Sequence, residues 1–102
     1  MAAATIKLVM EDFLGEFYFQ KDPTALAKQL LREGRYKVQG TMGVPELEGE
    51  AVAEEVFDLT NNPSRQEERE ALYGRHRSVS VGDIVNVDGA DWLCLSQGWW
   101  RL

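Results

Sequence analysis

Three observations predict an α+β fold in one domain: a small, mainly antiparallel sheet of about four or five strands with two amphipathic helices on one face. Short alternating segments rich in Ile, Leu and Val are interleaved with two segments whose apolar residues recur at helical spacing. The chain has 102 residues, 44% of them hydrophobic, enough for one modest core that buries roughly two thirds of the unfolded surface. Near the end, Asp88-Gly89 stands between two alternating runs, and both residues suit a tight type I′ hairpin turn.

Taken in order, residues 5–10 alternate and suit a strand, and residues 13–19 add four aromatics around Gly15 and Glu16, which predicts a hairpin turning near Asp12 or Gly15. Asp22 followed by Pro23 reads as a helix N-cap with Pro at the first helical position, and Gly34 supplies the left-handed residue that ends the helix. A helix over 23–33 follows, with Leu26, Ala27, Leu30 and Leu31 as its apolar stripe. Residues 36–42 read as a strand in which Gly40 marks a bulge or a close backbone approach, and Gly43 to Pro45 supply a turn.

Over 50–59, Val52, Val56 and Leu59 recur at i, i+4 and i+7, with Ala53 and Phe57 widening the same face. Asn61, Asn62 and Pro63 break that helix. Ser64 and Glu67 then form a capping-box pattern that opens a short polar helix, which Gly74 ends in solvent. The final hairpin runs over 83–87 and 90–95. Gln97-Gly98 turns the chain once more, and Trp99, Trp100 and Leu102 bring it to its end. Adjacent strand residues point to opposite faces, so Trp99 and Trp100 cannot both be buried; at least one of Trp92, Trp99 and Trp100 is expected to anchor the core.

Charge is unevenly spread. The net value is -6, and residues 46–58 hold Glu46, Glu48, Glu50, Glu54, Glu55 and Asp58 without one Lys or Arg. Residues 21–37 carry Lys21, Lys28, Arg32, Arg35 and Lys37 against Asp22 and Glu33, and Arg75, His76 and Arg77 form a second basic cluster. An acidic chain is a poor general nucleic-acid binder, although a local basic face can still grip phosphates. The single Cys94 makes no intramolecular disulfide, and with the lone His76 it supplies no zinc ligand set. The first residues lack the basic flank and apolar run of a signal peptide, so a soluble cytoplasmic protein without a membrane partner is expected.

The run Arg77-Ser78-Val79-Ser80-Val81-Gly82-Asp83-Ile84-Val85, then a strand with Trp92, then Gly98-Trp99, resembles a recurring segment of small domains in phage and conjugative-plasmid proteins, the YodL-like group of unknown function. An acidic helix and an Asn/Arg-containing stretch of that group are similar to Val56-Phe57-Asp58-Leu59-Thr60-Asn61-Asn62-Pro63. The match covers residues 52–99. It implies a mobile-element setting, in association with DNA-handling or counter-defence proteins, and no particular activity.

Read from its residues alone, the same segment has a structural role: Ser78 and Ser80 bond loop backbone, Val79 and Val81 point inward, and Gly82-Asp83 turn into the hairpin. No G-x-S-x-G elbow surrounds either serine, and Cys94 alternates with apolar neighbours as a buried, inert thiol would. Glu54 with Glu55 and Glu67 with Glu68 are adjacent on helices and diverge by about 100°, so neither pair converges on one atom. Gly40, Gly43 and Gly49 match no phosphate-cradling motif, and no cofactor is implied.

What remains is surface recognition by a protein partner. The candidate binding residues are Arg75, Arg77, Ser78, Ser80, Asp83, Trp99 and Trp100, an Arg/Trp patch that offers planar surface and bidentate donors. The acidic helix is the second candidate surface. The structural alternative is that Trp99 or Trp100 covers the end of the core while the arginines neutralise acids such as Asp83 or Asp91. A non-enzymatic interaction module is the expected function, with a nucleic-acid-binding accessory domain as the alternative, using Lys28, Arg32, Arg35 and Lys37 or the Arg75 to Arg77 cluster.

Overall fold

The computed structural model describes residues 2–102. Five antiparallel strands, β1 (Ala2–Val9), β2 (Tyr36–Val44), β3 (Ile84–Val87), β4 (Ala90–Leu95) and β5 (Gly98–Arg101), form one sheet in the order β2-β1-β3-β4-β5. The helices are α1 (Pro23–Arg32), α2 (Glu50–Asn61) and α3 (Gln66–Leu72), with 3-10 helices over Glu11–Tyr18 and Pro63–Arg65. The α+β class and the antiparallel sheet agree with the sequence reading.

Local chemistry explains several element ends. The Asp22 carboxylate accepts from the Ala25 N–H at 3.1 Å, which caps α1, and the Thr24 hydroxyl, donating at 2.7 Å, is first in holding the Asp22 carboxyl below its usual range, with the Ala25 N–H second. Gly34, at φ 71°, takes the left-handed step that ends it. Asp88 and Gly89 both have positive φ, 48° and 94°, as a type I′ turn requires, and the Asp88 carboxylate also accepts from the Ala3 N–H. In β2 the pairing with β1 skips between Ile6 and Lys7, leaving Gln39 as the bulged residue beside Gly40. A Cβ on Gly40 would stand 3.3 Å from the Tyr73 ring, so the glycine gives that buried tyrosine its seat.

Three expectations are corrected. No hairpin forms near Asp12 or Gly15: the chain leaves β1 through the 3-10 helix and α1, and β1 pairs instead with β2 and β3. Ser64 does not cap the third helix through a box with Glu67: α3 starts behind Arg65 with no side-chain cap, and it is the preceding 3-10 helix that is capped, by Asn62, whose side-chain oxygen accepts from both the N–H and the hydroxyl of Ser64. The two amphipathic helices do not share one face. Ala4, Ile6, Val85 and Cys94 join Val52, Val56 and Leu59 of α2 in one cluster. Val9, Ile84 and Leu93, which point the other way along the same strands, join Phe17, Ala27 and Leu30 beneath the 3-10 helix and α1. Both sheet faces carry apolar residues, so each needs its own cover.

That arrangement puts α2 and α3 on one side of the sheet and α1 on the other, with the 75–83 loop tying α2 to the strands. Among the described residues no helix is long and apolar enough to cross a membrane.

Candidate binding surfaces

The loop that precedes β3 is organised by one carboxylate. Asp83 is fully buried and accepts four hydrogen bonds: from the Val9 N–H at 2.9 Å, the Ser80 N–H at 2.7 Å, and the two terminal nitrogens of Arg77 at 2.7 and 2.9 Å. Arg77 also donates to the carbonyls of Ser78 and Val9. A buried carboxylate survives only when its oxygens are satisfied and its charge is paired, and here both conditions are met. The bidentate ion pair with Asp83 raises the Arg77 pKa further.

The serines serve the same scaffold. The Ser78 hydroxyl donates to the Thr60 carbonyl at the end of α2, where Arg69 Nε also donates at 3.2 Å and the Asn61 amide donates to Phe57 and Val79 carbonyls. Carbonyls at a helix C-terminus lack intrahelical partners, and this loop supplies them. Ser80 contributes backbone, its N–H to Asp83 and its carbonyl to the Asp83 N–H. Val79 is buried between them. The 77–83 segment is thus a staple holding α2, β1 and β3 together.

Of the seven candidate binding residues, the structure brings Arg77, Ser78, Ser80 and Asp83 into one cluster. It does not join them to the tryptophans. Trp99 faces the α2 side opposite Cys94, is 9% exposed, and meets Phe57 edge-on with ring centroids 6.4 Å apart. Trp100 points to the opposite face across from Leu93 and is 57% exposed. Arg75 lies in solvent, its nearest acid being Glu70 at 3.9 Å. Among the described residues the arginine–ring stacks are Arg35 over Phe13 at 5.8 Å and Arg69 over Tyr73 at 5.5 Å, and neither involves an indole. The His76 ring packs against Tyr73, and the Cys94 thiol is pushed up to about 12 by burial, with the charges of Asp83 and Glu54 adding to it.

The layer formed by α2, α3 and their approach has a different character. Between Glu46 and Glu70 stand nine carboxylates and two arginines, a balance of -7. Both arginines are occupied. Arg65 bridges Glu55 at 2.7 Å, Glu68 at 2.8 Å and Asp58 at 2.9 Å, which raises its own pKa and lowers that of Glu68. Arg69 spends its donors on the carbonyls of Thr60, Gly74 and His76. Glu46, Glu48, Glu50, Glu54 and Glu67 are exposed and none is in an ion pair among the described residues. Spacing in the sequence showed the 46–58 run; that α3 adds Glu67, Glu68 and Glu70 to the same side required the fold.

The segment of the first 3-10 helix, α1 and the start of β2 is neutral, and its Lys37, paired with Leu8, faces the α2 side. Residues 11–37 hold five bases and five acids, because Glu11, Asp12 and Glu16 of the first 3-10 helix offset the basic excess noted for 21–37. Lys28, Arg32, Arg35 and Lys37 are all exposed but do not stand in a field of their own sign. No protein-family model, no curated protein and no solved structure matches this chain.

Proposed function

We propose that this protein is an interaction module whose working surface is the acidic layer of α2 and α3, and that it docks on a basic face of a protein partner. The observation that supports this reading is segregation of charge: a balance of -7 over residues 46–70, which carry α2 and α3, against zero over residues 11–37, which carry the first 3-10 helix and α1, with both arginines of the acidic layer already committed to internal bonds. A field of one sign steers a complementary partner and raises its association rate, and does so less as salt rises. The resemblance to the YodL-like group implies a mobile-element setting, and in that setting the proposed partner is a DNA-handling or counter-defence protein with a basic surface of its own. The Arg/Trp patch is not part of the proposed surface, because Arg77 is bonded to a buried acid and Trp99 is inside.

The test is a fluorescence-anisotropy titration with a labelled oligolysine peptide as a stand-in for the basic partner. Wild type is expected to bind it, more weakly at about 0.2 M salt than at about 0.02 M. Reversing Glu50, Glu54 and Glu67 to Lys is expected to lower affinity roughly tenfold or more. A single-stranded oligonucleotide at the lower salt serves as the opposite arm. Tight oligonucleotide binding with no peptide binding contradicts the reading and favours Lys28, Arg32, Arg35 and Lys37 as the contact residues.

A further inference from the structure

The two edges of the sheet are unlike. β5 is four residues long and carries Arg101, whereas β2 runs for nine residues with one charge, Lys37, near its start. Natural sheets blunt their edges with short strands, charged residues, proline or bulges, because a bare edge is a template for another strand. β2 has its bulge at Gln39, and Pro45 stands just past its end. Gly40 to Val44, between the two, have no such protection.

Backbone direction shows what is free there. Ala3 and Val9 of β1 turn toward β3: the Ala3 carbonyl accepts from the Asp88 N–H, and the Val9 N–H reaches Asp83. Backbone groups alternate in direction along an antiparallel strand, so Ala2, Ala4 and Ile6 turn toward β2 and bond to their partners Val44, Met42 and Gly40. Thr41 and Gly43, lying between those partners, aim their N–H and C=O groups outward. Among the described residues nothing bonds to them. Their side chains leave the approach open, since Gly43 has none and the Thr41 hydroxyl is turned to that of Thr5 at 3.3 Å.

We infer that β2 pairs antiparallel with β2 of a second copy about a two-fold axis through Met42, so that Thr41 of each copy lies opposite Gly43 of the other. The strand itself selects this occupant and this register. Centred on Met42, each Thr41 exchanges both main-chain bonds with a Gly43, and the ladder stops where Pro45, which lacks an N–H, meets the bulged Gln39. Centring on Thr41 sets Gly43 against the bulge, and centring on Gly43 sets Thr41 against Pro45, so either alternative loses bonds. Charge agrees. Lys37 near one end of the strand and Glu46 past the other are exposed, and neither is in an ion pair among the described residues. Antiparallel pairing brings each toward the opposite charge of the other copy.

An edge contact of this length belongs to the small end of the interface scale, so the dimer is weak and concentration-dependent. It joins two sheets into one and sets both α2–α3 layers on the same face, where their repulsion opposes association at low salt.

Sedimentation velocity over a wide concentration series, at about 0.15 M salt to screen that repulsion, tests the inference. The mass is expected to rise from 11.5 kDa toward twice that value at high concentration. Amide exchange reads the register: the Thr41 and Gly43 amides should slow severalfold as concentration rises, while Gln97 in its exposed turn keeps its rate. Thr41→Pro deletes an N–H that bonds nothing in the monomer and should weaken association at least tenfold. Phe19→Ser, at a position 87% exposed and remote in sequence from β2, should retain it. If Thr41→Pro fails to fold, the exchange pattern of the wild type decides alone. A monomer at every concentration, a dimer undiminished by folded Thr41→Pro, or a slowing that spares Thr41 and Gly43 overturns the inference.

Discussion

The Asp83 carboxylate, inaccessible to solvent, is held by both terminal nitrogens of Arg77 at 2.7 and 2.9 Å, and this pair fastens the loop before β3 to the end of β1. Replacing only one partner leaves a buried charge without its counterion. Arg77→Met is expected to cost about 3–5 kcal/mol, read as a lower urea midpoint at unchanged slope. The double change Arg77→Met with Asp83→Leu should cost less than Arg77→Met alone unless the backbone donors of Val9 and Ser80 dominate; equal stability of Arg77→Met and wild type would remove the pair from the description of the core.

The two neighbouring tryptophans should separate cleanly. Trp99→Ala opens a cavity against Phe57 and Cys94 and is expected to cost about 3–5 kcal/mol, whereas Trp100→Ala should change stability by about 0.5 kcal/mol or less, as surface substitutions do. Acrylamide quenching of the Trp100→Phe variant should be much weaker than that of wild type. Equal destabilisation by the two alanine changes contradicts the register of β4 with β5.

Glycine positions make a graded test of packing. At Gly82, φ is +98° and Phe17 stands 2.5 Å from where a Cβ would be, so Gly82→Ala combines backbone strain with a clash and is expected to cost at least about 1–3 kcal/mol. At Gly40 the nearest atom is Tyr73 Cδ1 at 3.3 Å, so Gly40→Ala asks a ring to shift by tenths of an ångström and should cost about 1 kcal/mol or less. Thermal unfolding of both variants checks the order, and a reversed order refutes the contact of Phe17 with Gly82.

Alkaline pH should destabilise the fold through two buried acids. In an unfolded chain Cys94 ionises near 9 and Tyr73 near 10; burial first, and the negative charge of Asp83 second, push both up to about 12 in the folded protein. Both folded-state values are raised, so the stabilisation is complete below about pH 9 and is lost as pH rises through about 12. The urea midpoint should fall between about pH 8 and about pH 10.5, and native Cys94 should resist alkylation at pH 8 until denaturant is added. A midpoint that stays constant over that interval contradicts the burial of these groups.

Much of the fold was legible where the governing chemistry is local. Asp22-Pro23 and Gly34 bound α1 because caps act within a few residues, and Asp88-Gly89 set its hairpin because only residues tolerant of positive φ fit there. The failures are non-local. β1 sits between β2 and β3, partners roughly 30 and 80 residues away, and no local signal distinguishes that from a hairpin near Gly15. Helical stripes show that α1 and α2 each need a cover without saying which face of the sheet provides it. Asn62, two residues before Ser64 and equally competent as an N-cap, caps a 3-10 turn that the sequence pattern did not separate from the third helix. The acidic surface was half visible: the 46–58 run stands out in sequence, but its enlargement by α3 and the internal use of Arg65 and Arg69 depend on tertiary packing.

The most direct measurement is amide chemical-shift mapping of the ¹⁵N-labelled protein titrated with the oligolysine peptide at low salt. Shifts concentrated on Glu50, Glu54, Glu67 and Glu70, vanishing as salt is raised, are the expected result. Perturbations confined to the α1 side of the sheet, or spread evenly over every exposed carboxylate including Glu11 and Glu33, would contradict the acidic layer as the working surface.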